Sequence, residues 1–192
     1  ALGPVAAQTV PARSPSTFGL TAADFSNWSA YQGDWGLAAI NAATAYARGY
    51  TGLGVSVAVV DSGIDPNHPK FAGRISSASR NFWLTDPPGA IRSTLLVDLN
   101  SHGTHVSGTI GASAAGGEMM GVAFESTLLS LNAIMGPAEA NFIKQRLGLN
   151  EISTDANAAV DFAAANGARV LNGSYGPSLP TKLILDDNGN VI

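Results

Sequence analysis

Two short segments carry residue types suited to acid–base chemistry. The first is Val57-Ala-Val-Val-Asp61-Ser-Gly-Ile-Asp65, a β-branched apolar run that ends on a carboxylate. Open parallel sheets present their ligand and catalytic groups at the carboxyl ends of strands, which is where this pattern puts Asp61. Ser62-Gly63 lets the chain turn away sharply, so the same residues also read as an ordinary strand-to-turn junction. The second is Asn100-Ser-His102-Gly-Thr-His105-Val-Ser-Gly-Thr-Ile110, with His102 at the first turn of a predicted helix. Imidazole is the side chain whose ordinary pKa lies near neutrality, as a general base requires. A neighbouring carboxylate would fix its tautomer and stabilise its cation. Gly103, Ser107 and Gly108 are small enough for this helix to pack closely on whatever lies beneath it.

A third segment, Gly167-Ala-Arg-Val-Leu-Asn172-Gly-Ser174-Tyr175-Gly176, is a strand that ends in small residues. Its open backbone could pair with an extended peptide; taken alone it is equally a strand followed by a turn. His105 stands three residues after His102, and a His-x-x-His pair can bind metal. No Glu lies between them and no third ligand is close in sequence, so zinc is not expected. His68, in Asp-Pro-Asn-His-Pro, reads as a loop residue.

The elements that must position these groups alternate between strand and helix. Pro4, Pro11 and Pro15 argue against regular structure in residues 1–35, although Trp28, Tyr31 and Trp35 suggest that the later half packs on something. An Ala-rich helix is predicted over 36–48, ended by Gly49 and Gly52. Val55–Val60 is a predicted buried parallel strand, 64–100 mostly loop, His102–Ile110 a helix and Thr127–Ile134 a strand. Ser153–Asn166 is a predicted helix that Ser153, Thr154 or Asp155 could cap, followed by a strand over Arg169–Asn172. This alternation implies an α/β domain with a mainly parallel sheet. Near the end, Asn188-Gly189 signals a hairpin within Lys182–Ile192.

Composition narrows the function classes. Apolar residues are 45% of the 192, enough for a substantial core, while charged residues are only 12%. A net charge of −4 offers no electrostatic footprint for nucleic acid or anionic membrane. No apolar run approaches the ~18 residues that span a bilayer. With no Cys, disulfides, thiolate metal sites and cysteine nucleophiles are excluded.

Taken in order, Asp-Ser-Gly-Ile-Asp, Asn-Ser-His-Gly-Thr-His-Val-Ser-Gly-Thr and Val-Leu-Asn-Gly-Ser-Tyr-Gly resemble the subtilisin-like serine proteases, or subtilases. The resemblance covers about residues 36–180, and the style of 36–60 is similar to bacterial autotransporter subtilases. It implies a subtilisin-like three-layer α/β fold, represented by its N-terminal portion, with 1–35 as an extension and 36–192 as an incomplete peptidase domain. It implies a serine endopeptidase working through an Asp-His-Ser triad, in the chain order Asp, His, Ser. Asp61 would be the triad carboxylate and His102 the general base, with Ser174, Tyr175 and Gly176 lining the substrate cleft. His105 would be structural. Asp98 would either favour a basic substrate side chain preceding the P1 residue or be a plain loop carboxylate. No cofactor is implied. Many subtilases bind calcium through an Asp in the loop after the catalytic Asp and an Asn in the loop after the His helix. The matching positions here are Lys70 and Ala115, so that site is expected to be absent.

The chain departs from the family in lacking a Gly-Thr-Ser-like nucleophile segment and the later strand that bears the oxyanion-hole Asn. Ser62, Ser101 and Ser174 belong to other contexts. The expected partners are therefore a peptide or protein substrate and a second polypeptide carrying the catalytic Ser and oxyanion Asn, with no nucleic acid and no membrane contact. The 192-residue chain alone is expected to be inactive and not self-sufficient in folding. The expected location is secreted or on the bacterial cell surface. The alternative is a catalytically inactive, protease-like peptide-binding module.

Overall fold

The computed structural model describes residues 19–176. The expected hairpin over 182–192 and the prolines at 4, 11 and 15 lie outside the described residues.

Among the described residues four parallel strands form the central sheet, in the order β2 (Arg80–Asn81), β4 (Thr127–Asn132), β1 (Ser56–Asp61), β6 (Val170–Asn172). β1 and β4 lie in register over their whole length, Ser56 opposite Thr127 and Asp61 opposite Asn132. Val57 to Asp61 are all buried. This is the continuous apolar run expected of a parallel strand covered on both faces. Side-chain alternation divides the covering between two helices. Ala58, Val60, Leu129 and Leu131 pack against Ala159 and Ala163 of α7 (Ala156–Ala165). Val59 and Leu128 face Val106 and Ile110 of α5 (His102–Gly111). The result is a helix–sheet–helix sandwich, the fold class the sequence implied.

Among the described residues four short helices precede the sheet: α1 (Ala22–Ser26), α2 (Ser29–Gln32), α3 (Trp35–Ala39) and α4 (Ala42–Ala47). The expectation of irregular structure up to residue 35 is corrected over 22–32. Thr21 and Asp24 form a reciprocal capping box that starts α1. Phe25, Ala30 and Tyr31 then join Leu37, Ala42, Ala43, Tyr46 and Phe124 in one buried cluster. Tyr46 is its hub, with its ring 5.5 Å from Phe25 and 5.1 Å from Phe124 and its hydroxyl donating to the Val122 carbonyl. Trp28 is half-buried against this cluster, whereas Trp35 is 84% exposed, against expectation. The single helix predicted over 36–48 is two. Asn41 takes a left-handed conformation (φ 54°) that Asn tolerates, and its side chain accepts a hydrogen bond from the Thr44 hydroxyl.

The segment expected to be loop, 64–100, contains β2, β3 (Trp83–Asp86) and a 3₁₀ turn at Pro69–Phe71. β3 pairs antiparallel with β5 (Glu151–Thr154), and α6 (Pro137–Leu147) packs beside them through Ile143, Leu149 and Ile152. Ser153 and Thr154 therefore belong to a strand, and Asp155 alone caps α7 by accepting from the Ala158 amide.

Because Phe25 is fully buried among aromatic rings, Phe25→Ala should cost about 3–5 kcal/mol. The chemical-denaturation midpoint of the full-length protein should fall accordingly. An unchanged midpoint would show that the first two helices stand apart from the cooperative unit.

Candidate active site

Asp61 is the last residue of β1 and is 2% exposed. Its carbonyl accepts from the amides of Ala133 and Ile134, which ties the end of β1 to the end of β4. His102 is the first residue of α5. Its Nδ1 lies 2.7 Å from Asp61 Oδ1, which also accepts from the Ser62 amide at 2.7 Å. The imidazole is about half exposed while its carboxylate partner is buried. A 2.7 Å contact between imidazole and carboxylate is the length of a charge-assisted hydrogen bond.

The neighbouring glycines explain how a strand end and a helix start come so close. Gly63 has φ 123°, and a Cβ there would collide with the Val97 carbonyl oxygen. A Cβ on Gly103 would collide with the backbone oxygen of Gly63. The chain after Asp61 and the first turn of the His102 helix thus touch backbone to backbone. Both motifs need Gly one residue after Ser62 or His102.

A cleft of about 290 Å³ opens beside this pair. Trp83, Leu99, Ile134, Met135 and Tyr175 give it apolar walls, and Asn100, Asn132 and Glu139 add polar groups. Asn132 holds two walls together: its amide donates to the Val97 carbonyl and its oxygen accepts from the Trp83 indole N–H. Glu139 accepts from the Asn100 amide at 2.9 Å, and that hydrogen bond holds its carboxyl below its usual range. Neither Asn132 nor Glu139 carries a sequence signal of its own, because an Asn at a strand end and a Glu in a helix's first turn are ordinary there.

Of the other predicted residues, Tyr175 lines the cleft and is 45% exposed. Ser174 and Gly176 are exposed beside it, and Ser174 Oγ accepts from the Asn172 side chain. His105 is exposed on α5. Among the described residues no group of three His, Asp or Glu is arranged to hold a metal. His68 caps the 3₁₀ turn through Nδ1, which accepts from the Lys70 amide. Asp98 is more than a plain loop carboxylate. Burial works against its ionisation, but hydrogen bonds from Thr104, Ser62 and Asn100 outweigh that and hold its carboxyl below the usual range. A carboxyl depressed by folding stabilises the fold at pH above its unfolded value. That contribution disappears only as pH falls through the folded value, so it is present at neutral and mildly acid pH.

An aspartate–histidine pair thus stands at the carboxyl edge of β1, an inner strand of an open, parallel α/β sheet. The sequence matches the family model of the subtilases, peptidase family S8, over residues 52–190, and the chain belongs to that family. An extracellular serine protease of Serratia marcescens is 34% identical over 145 residues, 74% of this chain and 11% of that protein. The major intracellular serine protease of Bacillus subtilis is 39% identical over 101 residues, 53% of this chain and 30% of that protein. The crystal structure of fervidolysin from Fervidobacterium pennivorans, a keratinolytic enzyme related to subtilisin, superimposes with a TM-score of 0.53 at 27% identity, over 72% of this chain and 19% of that one. The fold is subtilisin-like, and the chain spans less than a third of each of these proteins.

Gly103→Ala should destabilise the protein by about 1–3 kcal/mol, because the added methyl has rigid backbone and no flexible side chain to displace. The denaturation midpoint measures this. A stability equal to wild type would mean that the helix and the strand turn are not in backbone contact.

Proposed function

We propose that this chain supplies the acid–base half of a subtilisin-type serine endopeptidase site. The observation that carries the reading is the 2.7 Å contact between His102 Nδ1 and the buried Asp61 carboxylate, at the edge of the 290 Å³ cleft. With Nδ1–H donating to Asp61, the imidazole is held in the tautomer whose Nε2 can accept a proton. His102 then takes the proton of a serine hydroxyl as that oxygen attacks the scissile carbonyl, and returns it to the leaving amine. Asp61 stays ionised and stabilises the imidazolium between those steps.

The nucleophile and the oxyanion-hole Asn come from a polypeptide segment other than these 192 residues. Ser62 is unsuited to the role, because its hydroxyl already donates to Asp98 and accepts from the Gly103 amide. The substrate is a peptide or protein whose extended backbone pairs with Ser174, Tyr175 and Gly176 and whose side chain enters the apolar cleft. Export from the cell fits the extracellular Serratia relative. No helix among the described residues is long and apolar enough to cross a membrane.

In the full-length protein a fluorophosphonate serine-hydrolase probe should label one serine beyond residue 192. His102→Ala should reduce peptide hydrolysis on the order of 10⁶-fold and Asp61→Asn on the order of 10⁴-fold, as truncations of such triads do. A full-length protein that neither labels nor cleaves, or that labels at a serine within residues 1–192, sinks the assignment.

A further inference from the structure

We propose that Asp98 is a positioning residue for His102, an inference that rests on the Asp61–His102 reading above. The first-turn amides of a helix have no partners within the helix. In α5 two of them are taken by groups from elsewhere. The Gly103 amide donates to Ser62 Oγ at 2.9 Å, and the Thr104 amide donates to Asp98 Oδ2 at 2.8 Å. Ser101, the residue before the helix, makes no cap with its own side chain and sits at φ 68°, in the left-handed region. Its amide donates to Asp98 Oδ1 at 2.9 Å instead, as does the Asn100 amide at 3.2 Å.

The remaining bonds link this cap to the strand end. Asp98 Oδ1 accepts from the Ser62 hydroxyl at 2.8 Å, and Oδ2 accepts from the Thr104 hydroxyl at 2.6 Å. Ser62 directly follows Asp61, and Thr104 Oγ1 in turn accepts from the Asp65 amide at 2.9 Å. One carboxylate therefore clamps the turn that leaves Asp61 to the turn that begins with His102. Its negative charge also lies at the helix N-terminus, where the peptide dipoles favour it. All five contacts are internal, so little acceptor capacity is left for a cationic substrate side chain.

The test uses peptide hydrolysis by the full-length protein, with active sites counted by the serine probe. Asp98→Asn keeps the shape but puts an N–H₂ against donors. It should lower kcat per titrated site by about 10²-fold, the cost of misplacing a catalytic group by about an ångström. KM should change little, and equally for peptides with neutral or basic residues preceding P1. Ser62→Ala removes one link only and should give a smaller loss of the same kind. A kcat per titrated site that stays at the wild-type value in both variants, with only stability reduced, would overturn the proposal. So would a KM rise confined to basic peptides. Should the wild-type protein prove inactive, the triad reading fails by itself. The low-field proton resonance of His102 Nδ1 then decides the positioning claim: its loss in Asp98→Asn supports it, its persistence refutes it.

A second, independent observation concerns Lys70. The family's calcium site does not fit here, because the position that would bear a carboxylate bears an ammonium. Lys70 is 8% exposed, and its Nζ donates to the carbonyls of Ala115 (2.7 Å), Met119 (2.8 Å) and Ser113 (3.3 Å). Three donors on one nitrogen require the ammonium form, and three converging carbonyl oxygens are the ligands a hard cation takes. Gly116 and Gly117, both at positive φ, bend the loop around it. The structure assigns Lys70 as an internal cation that closes the 113–119 loop without metal. In full-length protein on a His102→Ala background, so that self-cleavage is removed, limited proteolysis mapped by mass spectrometry reads this loop directly. Chelator should leave the loop protected, Lys70→Met should expose it to cleavage, and Lys70→Asp with Ala115→Asn should make protection calcium-dependent. Chelator-induced cleavage in the loop, or full protection in Lys70→Met, would overturn the assignment.

Discussion

The arrangement of this molecule depends on a backbone-to-backbone contact between Gly63 and Gly103. Hydrogen-bond reach between Asp61 and His102 requires that the end of β1 and the start of α5 approach more closely than side chains ordinarily permit. Neither glycine can carry a Cβ without displacing main-chain oxygen, so both elements are fixed together before any side chain is chosen. The rest of the core follows from that approach. The buried face of α5 is made of Gly103, Ser107, Gly108 and Gly111, and a Cβ at Gly111 would already crowd Leu128 and Ser126. The fully buried bulk comes from the sheet, through Val59 and Leu128 on this side, where Val106 and Ile110 of α5 pack partly buried against them, and through Val60, Leu129 and Leu131 on the other.

How much of this could be read in the sequence depended on whether the signal was local. β1, α5, β4 and β6 were legible because each has an apolar period or a boundary residue of its own, and the motifs around Asp61 and His102 marked the two side chains that meet at 2.7 Å. α6 also carried local signals: Pro137 at its first turn, Glu139 near the N-terminus, Lys144 and Arg146 near the C-terminus, and Gly148 at φ 65° to end it. Its apolar stripe is thin, with Ile143 its one buried side chain, so no helical period stands out in its sequence. β3 and β5 had no such signal. Their pairing is a tertiary fact, stabilised by Trp83 bonding to Asn132 and by Ile152 packing on Ile143 and Leu149. The break at Asn41 was hidden for a similar reason. Ala-rich sequence favours one continuous helix, and only the need to bury both Leu37 and Tyr46 in one aromatic cluster bends the chain there.

Asp98 and Lys70 show how a protein with few charges uses two of them. Lys70 is buried and Asp98 half-buried, which is costly for an ion that lacks compensating partners. Neither is paired with an opposite charge in the described contacts. Asp98 is compensated by backbone amides and hydroxyls at a helix start, and Lys70 by backbone carbonyls in a loop. An ion pair would join only two side chains. An ion solvated by main chain instead fixes the path of whole segments, because several peptide groups must point at one centre.

That distinction explains why both sites lie on the flanks of the same helix. α5 begins in the loop organised by Asp98 and ends in the loop organised by Lys70, since Ala112 and Ser113 follow directly on Gly111. The Lys70 carbonyl also accepts from the Ser113 amide, so the residue that gathers the loop's carbonyls is itself held by that loop. The fully buried face of α5 offers no bulky side chain, and its larger packing residues, Val106 and Ile110, are only partly buried. Two ionic centres, one at each end, restrain its axial position, and the imidazole at its first residue stays in register with the carboxylate at the end of β1.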